Sequence, residues 1–155
     1  MATSVGRVMA GNRVTGGINK TMESPDLYFT LQEAQATVAW LQVTFDAIES
    51  IRRSLARASG RVRQLTGTMQ SNGGVHSEEQ LVRAQKDLQD AEHAIDEHVH
   101  AIAERGIMLR SVERGLVDFP AVRDGRIVFL CWVAGENEIK YWHEADEGFD
   151  GRQPL

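Results

Sequence analysis

Leu31, Ala34, Val38, Leu41, Phe45, Ile48, Leu55 and Val62 fall on an alternating three–four repeat. That spacing returns an apolar residue to one stripe of a helix every turn, so the segment must bury that stripe. Thr30 and Glu33 precede it at capping-box spacing and mark its start. A helix over about 30–65 is expected, roughly 50 Å long at 1.5 Å per residue. Arg52 and Ser59 occupy the two seam positions that break the pattern. A second repeat follows the turn-rich "TGTMQSNGGVHSEEQ": Leu81, Ala84, Leu88, Ala91, Ile95, His98 and Ile102. Ser77 and Gln80 suggest its start and Gly106 its stop, giving a helix over about 77–105. Two consecutive stripes of this kind are most simply satisfied by each other, in an antiparallel hairpin.

The charges differ between the two helices. The first ends in Arg52, Arg53, Arg57, Arg61 and Arg63, and the second carries eight acids between Glu78 and Glu104. Pairing across the hairpin would account for this, at about 0–1 kcal/mol per exposed pair. Arg53, Arg57 and Arg61 also form a stripe, but no aromatics interleave with them and the chain's net charge is −5. Nucleic acid is therefore not an expected partner.

Past Gly106 the period changes. "IMLRSV", "RIVFLCWV" and "EIKYWHE" read as strands, rich in β-branched and aromatic residues. "GLVDFPAVRDG" reads as a loop broken by Pro120, with a turn at Asp124-Gly125, and "AGENE" as a hairpin turn. The expected fold class is α+β: the hairpin, then a small three-stranded antiparallel meander within 107–143, then an ordered C-terminal clasp over 144–155. In that clasp Gly148 and Gly151 would supply positive-φ turns, Phe149 and Leu155 apolar anchors, and Arg152 a partner for Asp118, Glu144 or Asp150. Residues 1–26 carry Arg7, Arg13 and Lys20, lack apolar periodicity, and are expected to be a flexible basic tail outside a single domain of 27–155. No run of eighteen apolar residues suggests a membrane span. The single cysteine, Cys131, suits a reducing cytoplasm.

"GLVDFPAVRDGRIVFLCW", "YWHE" and the closing "GRQPL", in that order after two long helices, resemble a prokaryotic family known as domain of unknown function 2203. The resemblance runs from about Phe29 to Leu155. It implies a small cytoplasmic protein and carries no activity with it.

The residues themselves offer one cluster with chemistry. Cys131, His143 and Glu144 are metal-ligand types on strands expected to pair, with Asp118, Asp146 and Asp150 near in sequence. A thiolate, an imidazole and a carboxylate suit zinc or iron with an open position. His98 interrupts the second seam and would join them if the sheet covered that end of the hairpin. A slip of one residue would send Cys131 and His143 to opposite faces, so the structural alternative, an edge strand glued down by Tyr141 and Trp142, stays open. Glu97 and His100 have the spacing used in di-iron bundles, with His93 on the same face, but the first helix has no matching pair. A mid-strand cysteine has no helix N-terminus to activate it as a nucleophile.

Two functions follow as expectations. The first is a non-enzymatic helical module for self-association into a homo-oligomer or for binding another protein. The second is a small zinc or iron protein, with or without enzymatic activity, using Cys131, His143, Glu144 and His98.

Overall fold

The computed structural model describes residues 27–72 and 75–155; the N-terminal tail expectation lies outside them. Two helices are followed by a sheet: α1 (Leu31–Asn72), α2 (Val75–Glu104), β1 (Met108–Ser111), β2 (Leu116–Arg123), β3 (Arg126–Val133), β4 (Tyr141–Glu144) and β5 (Gln153–Pro154), with a 3₁₀ turn at Phe149–Gly151. The Thr30 box forms as its sequence implies. Glu33 N–H donates to Thr30 Oγ1 (3.1 Å), and Thr30 N–H donates to Glu33 Oε2 (2.9 Å). α1 outruns its expected end, while α2 keeps close to its expected limits. α1 reaches Asn72 and α2 already starts at Val75, so Ser77 lies inside its first turn rather than before it. Gly106, at φ +76°, ends the second helix with its N–H on Ala103 O.

The hairpin forms, but its two ends differ. Ala34, Val38, Leu41, Phe45 and Ile48 of α1 and Ile102 of α2 are buried in the main core. Beyond Ile48, Leu55, Val62 and Leu65, and opposite them Leu81, Leu88, Ala91 and Ile95, are only half-buried, and Ala84 alone of the second seam's far end is fully covered. A two-helix seam covers each ridge from one side; the sheet covers it from the other only near the Ala34–Ile48 end. The expected charge pairing across the hairpin is absent among the described residues. The helical ion pairs found there run along one helix, as in Lys86–Asp90, His93–Glu97 and Arg52–Glu49. Residues three or four apart already sit side by side, so they meet first.

The sheet has five strands in the order β1-β2-β3-β4-β5, all antiparallel, rather than three. β2 is the larger correction, because "GLVDFPAVRDG" is mostly strand. It escapes the period-two test because Leu116 to Ala121 are buried on both faces. Pro120 is tolerated because its pairing with β1 ends at Asp118. Its carbonyl points to that open side and accepts the Phe29 N–H at 2.7 Å, so its missing N–H costs no sheet bond. Asp124 (φ 52°) and Gly125 (φ 75°) join β2 to β3 in the doubly positive turn that suits a two-residue hairpin.

One sheet face packs on the helices. Val117, Phe119, Ala121, Val128, Leu130, Trp132 and Trp142 join the core there, with Phe45 against Trp132 at 6.0 Å between centroids. The β3–β4 connection is tied to α1: Gln42 Oε1 accepts from Gly135 N–H (3.0 Å) and Gln35 Oε1 from Ile139 N–H (2.8 Å). The sheet's second face is roofed by its own arginines and tail, and there the chemistry lies.

Candidate metal centre

Because paired residues on neighbouring strands share a face, register alone assembles the site. Asp118 of β2 pairs with Cys131 of β3, and His143 of β4 pairs with Phe129, two residues from Cys131 on the same side. All three point away from the helices. Asp118, Cys131 and His143 each bring one ligand atom within 4.8 Å of the others, and all three are buried. The slip that would have separated Cys131 from His143 does not occur.

His143 has a fixed orientation. Its Nδ1 lies 2.8 Å from the Glu144 carbonyl oxygen. A carbonyl has no proton to give, so Nδ1–H donates and Nε2 is the free ring position. Nε2 faces Asp118 Oδ2 at 3.2 Å. An imidazole lone pair facing a carboxylate oxygen is repulsive, so something positive must lie between them, either a proton on Nε2 or a metal ion. A backbone carbonyl on the second ring nitrogen is the usual support for a metal-bound histidine.

Asp118 has capacity to spare. Arg110 Nε donates to its Oδ2 at 2.7 Å. Oδ1 is buried with no N–H or O–H donor; the Cys131 thiol, which hydrogen-bonds to Asp118, is a weak donor. Cys131 is its sulfur neighbour. Burial above all, then the charge of Asp118 with a smaller opposing pull from Arg152, pushes the Cys131 thiol up to about 12. Alone, then, the thiol is neutral and no nucleophile. A divalent ion would supply the charge that makes it a thiolate.

Two predicted members do not join. Glu144 follows His143 on the strand and so points to the opposite face, where it pairs with Arg126 at 3.1 Å. His98 is half-buried on α2, on the helical side of the sheet, and is not in the cluster. His93, Glu97 and His100 are exposed and pair along α2. Asp118 and Arg110 are the functional candidates that sequence reasoning underused. The only hint was a single acid set between Val117 and Phe119 in an apolar run.

The tail closes this face, by other contacts than expected. Arg152 pairs with Glu136 at 2.8 Å, not with Asp118, Glu144 or Asp150. Its guanidinium lies over Tyr141 (4.2 Å) and Phe149 (4.9 Å), and Arg114 lies over Phe149 at 4.7 Å. Phe149 is thus stacked between cations rather than anchored in an apolar pocket, worth about 0.5–2 kcal/mol per cation. Leu155 is 46% exposed and is held by its N–H on Lys140 O. Neither Gly148 nor Gly151 takes a positive φ.

A groove of about 310 Å³ lies elsewhere, between α1 and the β1–β2 turn, lined by Phe45, Asp46, Glu49, Glu113 and Arg114 among others. None of the three clustered residues lines it.

Residues 27–155 match the family described as an uncharacterized conserved protein, DUF2203, and the chain belongs to that family. No curated protein and no solved structure matches the chain. Among the described residues no helix is long and apolar enough to cross a membrane.

Proposed function

We propose that this protein binds one transition-metal ion, zinc or iron(II), through Asp118, Cys131 and His143. The observation that carries the reading is the contact of His143 Nε2 with Asp118 Oδ2 at 3.2 Å while Nδ1 is committed to Glu144 O. An imidazole nitrogen in contact with a carboxylate oxygen, beside a thiol and a second carboxylate oxygen with no N–H or O–H donor, makes a site for a cation, held by a proton when no metal is bound. One oxygen, one nitrogen and one sulfur ligand favour zinc or iron over magnesium or calcium, which take oxygen. A thiolate ligand also fits a reducing cytoplasm. Glu144 contributes its carbonyl to orient His143 instead of its carboxylate to the metal.

The burial of all three ligands speaks against turnover of a bulky substrate and for a stabilising or sensing ion. The test is elemental analysis of untagged protein never exposed to chelator. Near-stoichiometric zinc or iron is expected, lost in Cys131→Ala, His143→Ala and Asp118→Asn. Metal below about a tenth of stoichiometry, before and after reconstitution, would refute the reading.

Self-association through the hairpin is the second reading. It is favoured by the half-buried Leu55, Val62, Leu81 and Leu88 seam beyond the main core, which a second hairpin would cover. It ranks lower because the exposed large apolar residues on the described helices, Leu31, Val43 and Val82, do not form a stripe. Sedimentation that stays monomeric at high concentration would eliminate it.

A further inference from the structure

We infer that a metal at this centre keeps one exchangeable coordination position, on the side Arg110 now closes, and that the position takes a small anion also held by the Arg110 guanidinium. The inference rests on the metal reading above and adds to it a ligand class.

Four features of the structure support it, the first being the burial gradient. The side chains of Asp118 and His143 are 4% and 3% exposed, while that of Arg110 is 38% exposed. Arg110 is therefore the member of the cluster that faces solvent. The second is backbone design. Arg110 sits where the register of β1 on β2 shifts, between Leu109 and Ser111. An extra residue in an edge strand frees its side chain from the regular pleat and re-aims it. β1 pairs on one side only, so it can adjust without breaking a second ladder.

The third is competition for one oxygen. Arg110 Nε and His143 Nε2 both address Asp118 Oδ2. A divalent ion bonded to that oxygen takes the guanidinium's place as its charge partner, and two cations this close repel. Arg110 has alternative contacts at hand, lying 5.1 Å from the Phe129 ring centroid and 3.9 Å from Met108 Sδ. It can release Oδ2 and stay nearby.

The fourth is charge. A divalent ion is neutralised by the Asp118 carboxylate and the Cys131 thiolate; the thiol proton and the proton between His143 Nε2 and Asp118 Oδ2 both leave to solvent. His143 is neutral as a ligand. Arg110 then remains as one positive charge without its carboxylate, next to a metal with three protein ligands. Zinc and its analogues fill a fourth position with water or a small donor. A monodentate anion there balances Arg110, and the guanidinium offers it further N–H donors.

The experiment uses the full chain loaded with Co²⁺, whose visible bands report coordination, titrated with sodium azide. Wild-type protein is expected to show a saturable change in those bands. Arg110→Gln should still bind Co²⁺ and need at least about ten times more azide, the scale on which residues supporting a metal site act. Arg110→Lys should recover part of the difference, and circular dichroism checks that both variants fold. Bands of bound Co²⁺ indifferent to azide would overturn the inference and leave the metal reading standing. So would an equal azide response in Arg110→Gln. Failure of the wild type to bind Co²⁺ at all would overturn both.

Discussion

Asp118→Asn keeps the shape of the side chain and removes its charge, and so isolates the buried network in chelator-treated protein. Asp118 is 4% exposed and accepts a charge-assisted bond from Arg110 at 2.7 Å. Such a bond is worth about 1.5–3 kcal/mol and a neutral one about 0.5–1.5, so the Arg110 contact loses roughly 1–1.5 kcal/mol. Arg110 is 38% exposed and regains water, which keeps that loss at the low end. The proton that separates His143 Nε2 from Oδ2 loses its anion, at about another 1–2 kcal/mol. A buried amide is cheaper to desolvate than a carboxylate, which offsets part of both. The expected net loss is about 2 kcal/mol. Urea unfolding with a slope of about 1–3 kcal/mol per molar would show the midpoint falling by about 1 M. A double-mutant cycle with Arg110→Ala should find about 1 kcal/mol of coupling. A loss below about 0.5 kcal/mol, or none of that coupling, would show that Asp118 is not an ionised partner of Arg110 and His143, and the argument for a cation between them would fall.

Three further perturbations test the frame around the site. The Cys131 thiol is pushed up to about 12 in the fold, above its unfolded value, so the fold favours the neutral thiol. The Cys131 contribution to metal-free stability, read as the difference between wild-type and Cys131→Ala urea titrations, should be constant below about pH 8.5 and fall between there and pH 12, by up to a few kcal/mol. Gly115→Ala would place a Cβ 2.4 Å from Ala134 Cβ at a φ of +61°. Overpacking and left-handed strain together should cost about 2–5 kcal/mol by thermal unfolding, and Ala134→Gly should recover the steric share. Thr30→Ala removes the reciprocal cap of α1 and should cost about 0.5–2 kcal/mol, with helix fraying visible in hydrogen exchange before Val38.

The helices were legible because their evidence is local. Leu31 to Val62 and Leu81 to Ile102 repeat at the helical period whatever they pack against, and Thr30 with Glu33 caps α1 from within four residues. Asp124-Gly125 was legible for the same reason, since a two-residue turn needs its own backbone angles and little else. β2 was not, because a strand buried on both faces shows no alternation, and whether Pro120 disrupts a ladder depends on where β1 stops. The site was half legible. Cys131 and His143 announce ligand chemistry by residue type, but which partner completes them is a matter of face. Strand parity gives Asp118 to the site and sends Glu144 to Arg126. The sheet between the helices and that face also separates His98 from the cluster. Residue types and short-range periodicity therefore determined the hairpin, the turn and the kind of chemistry available. Tertiary structure alone decided which side chains meet, because a register of one residue inverts every face of a strand and long-range pairing leaves no trace in local spacing.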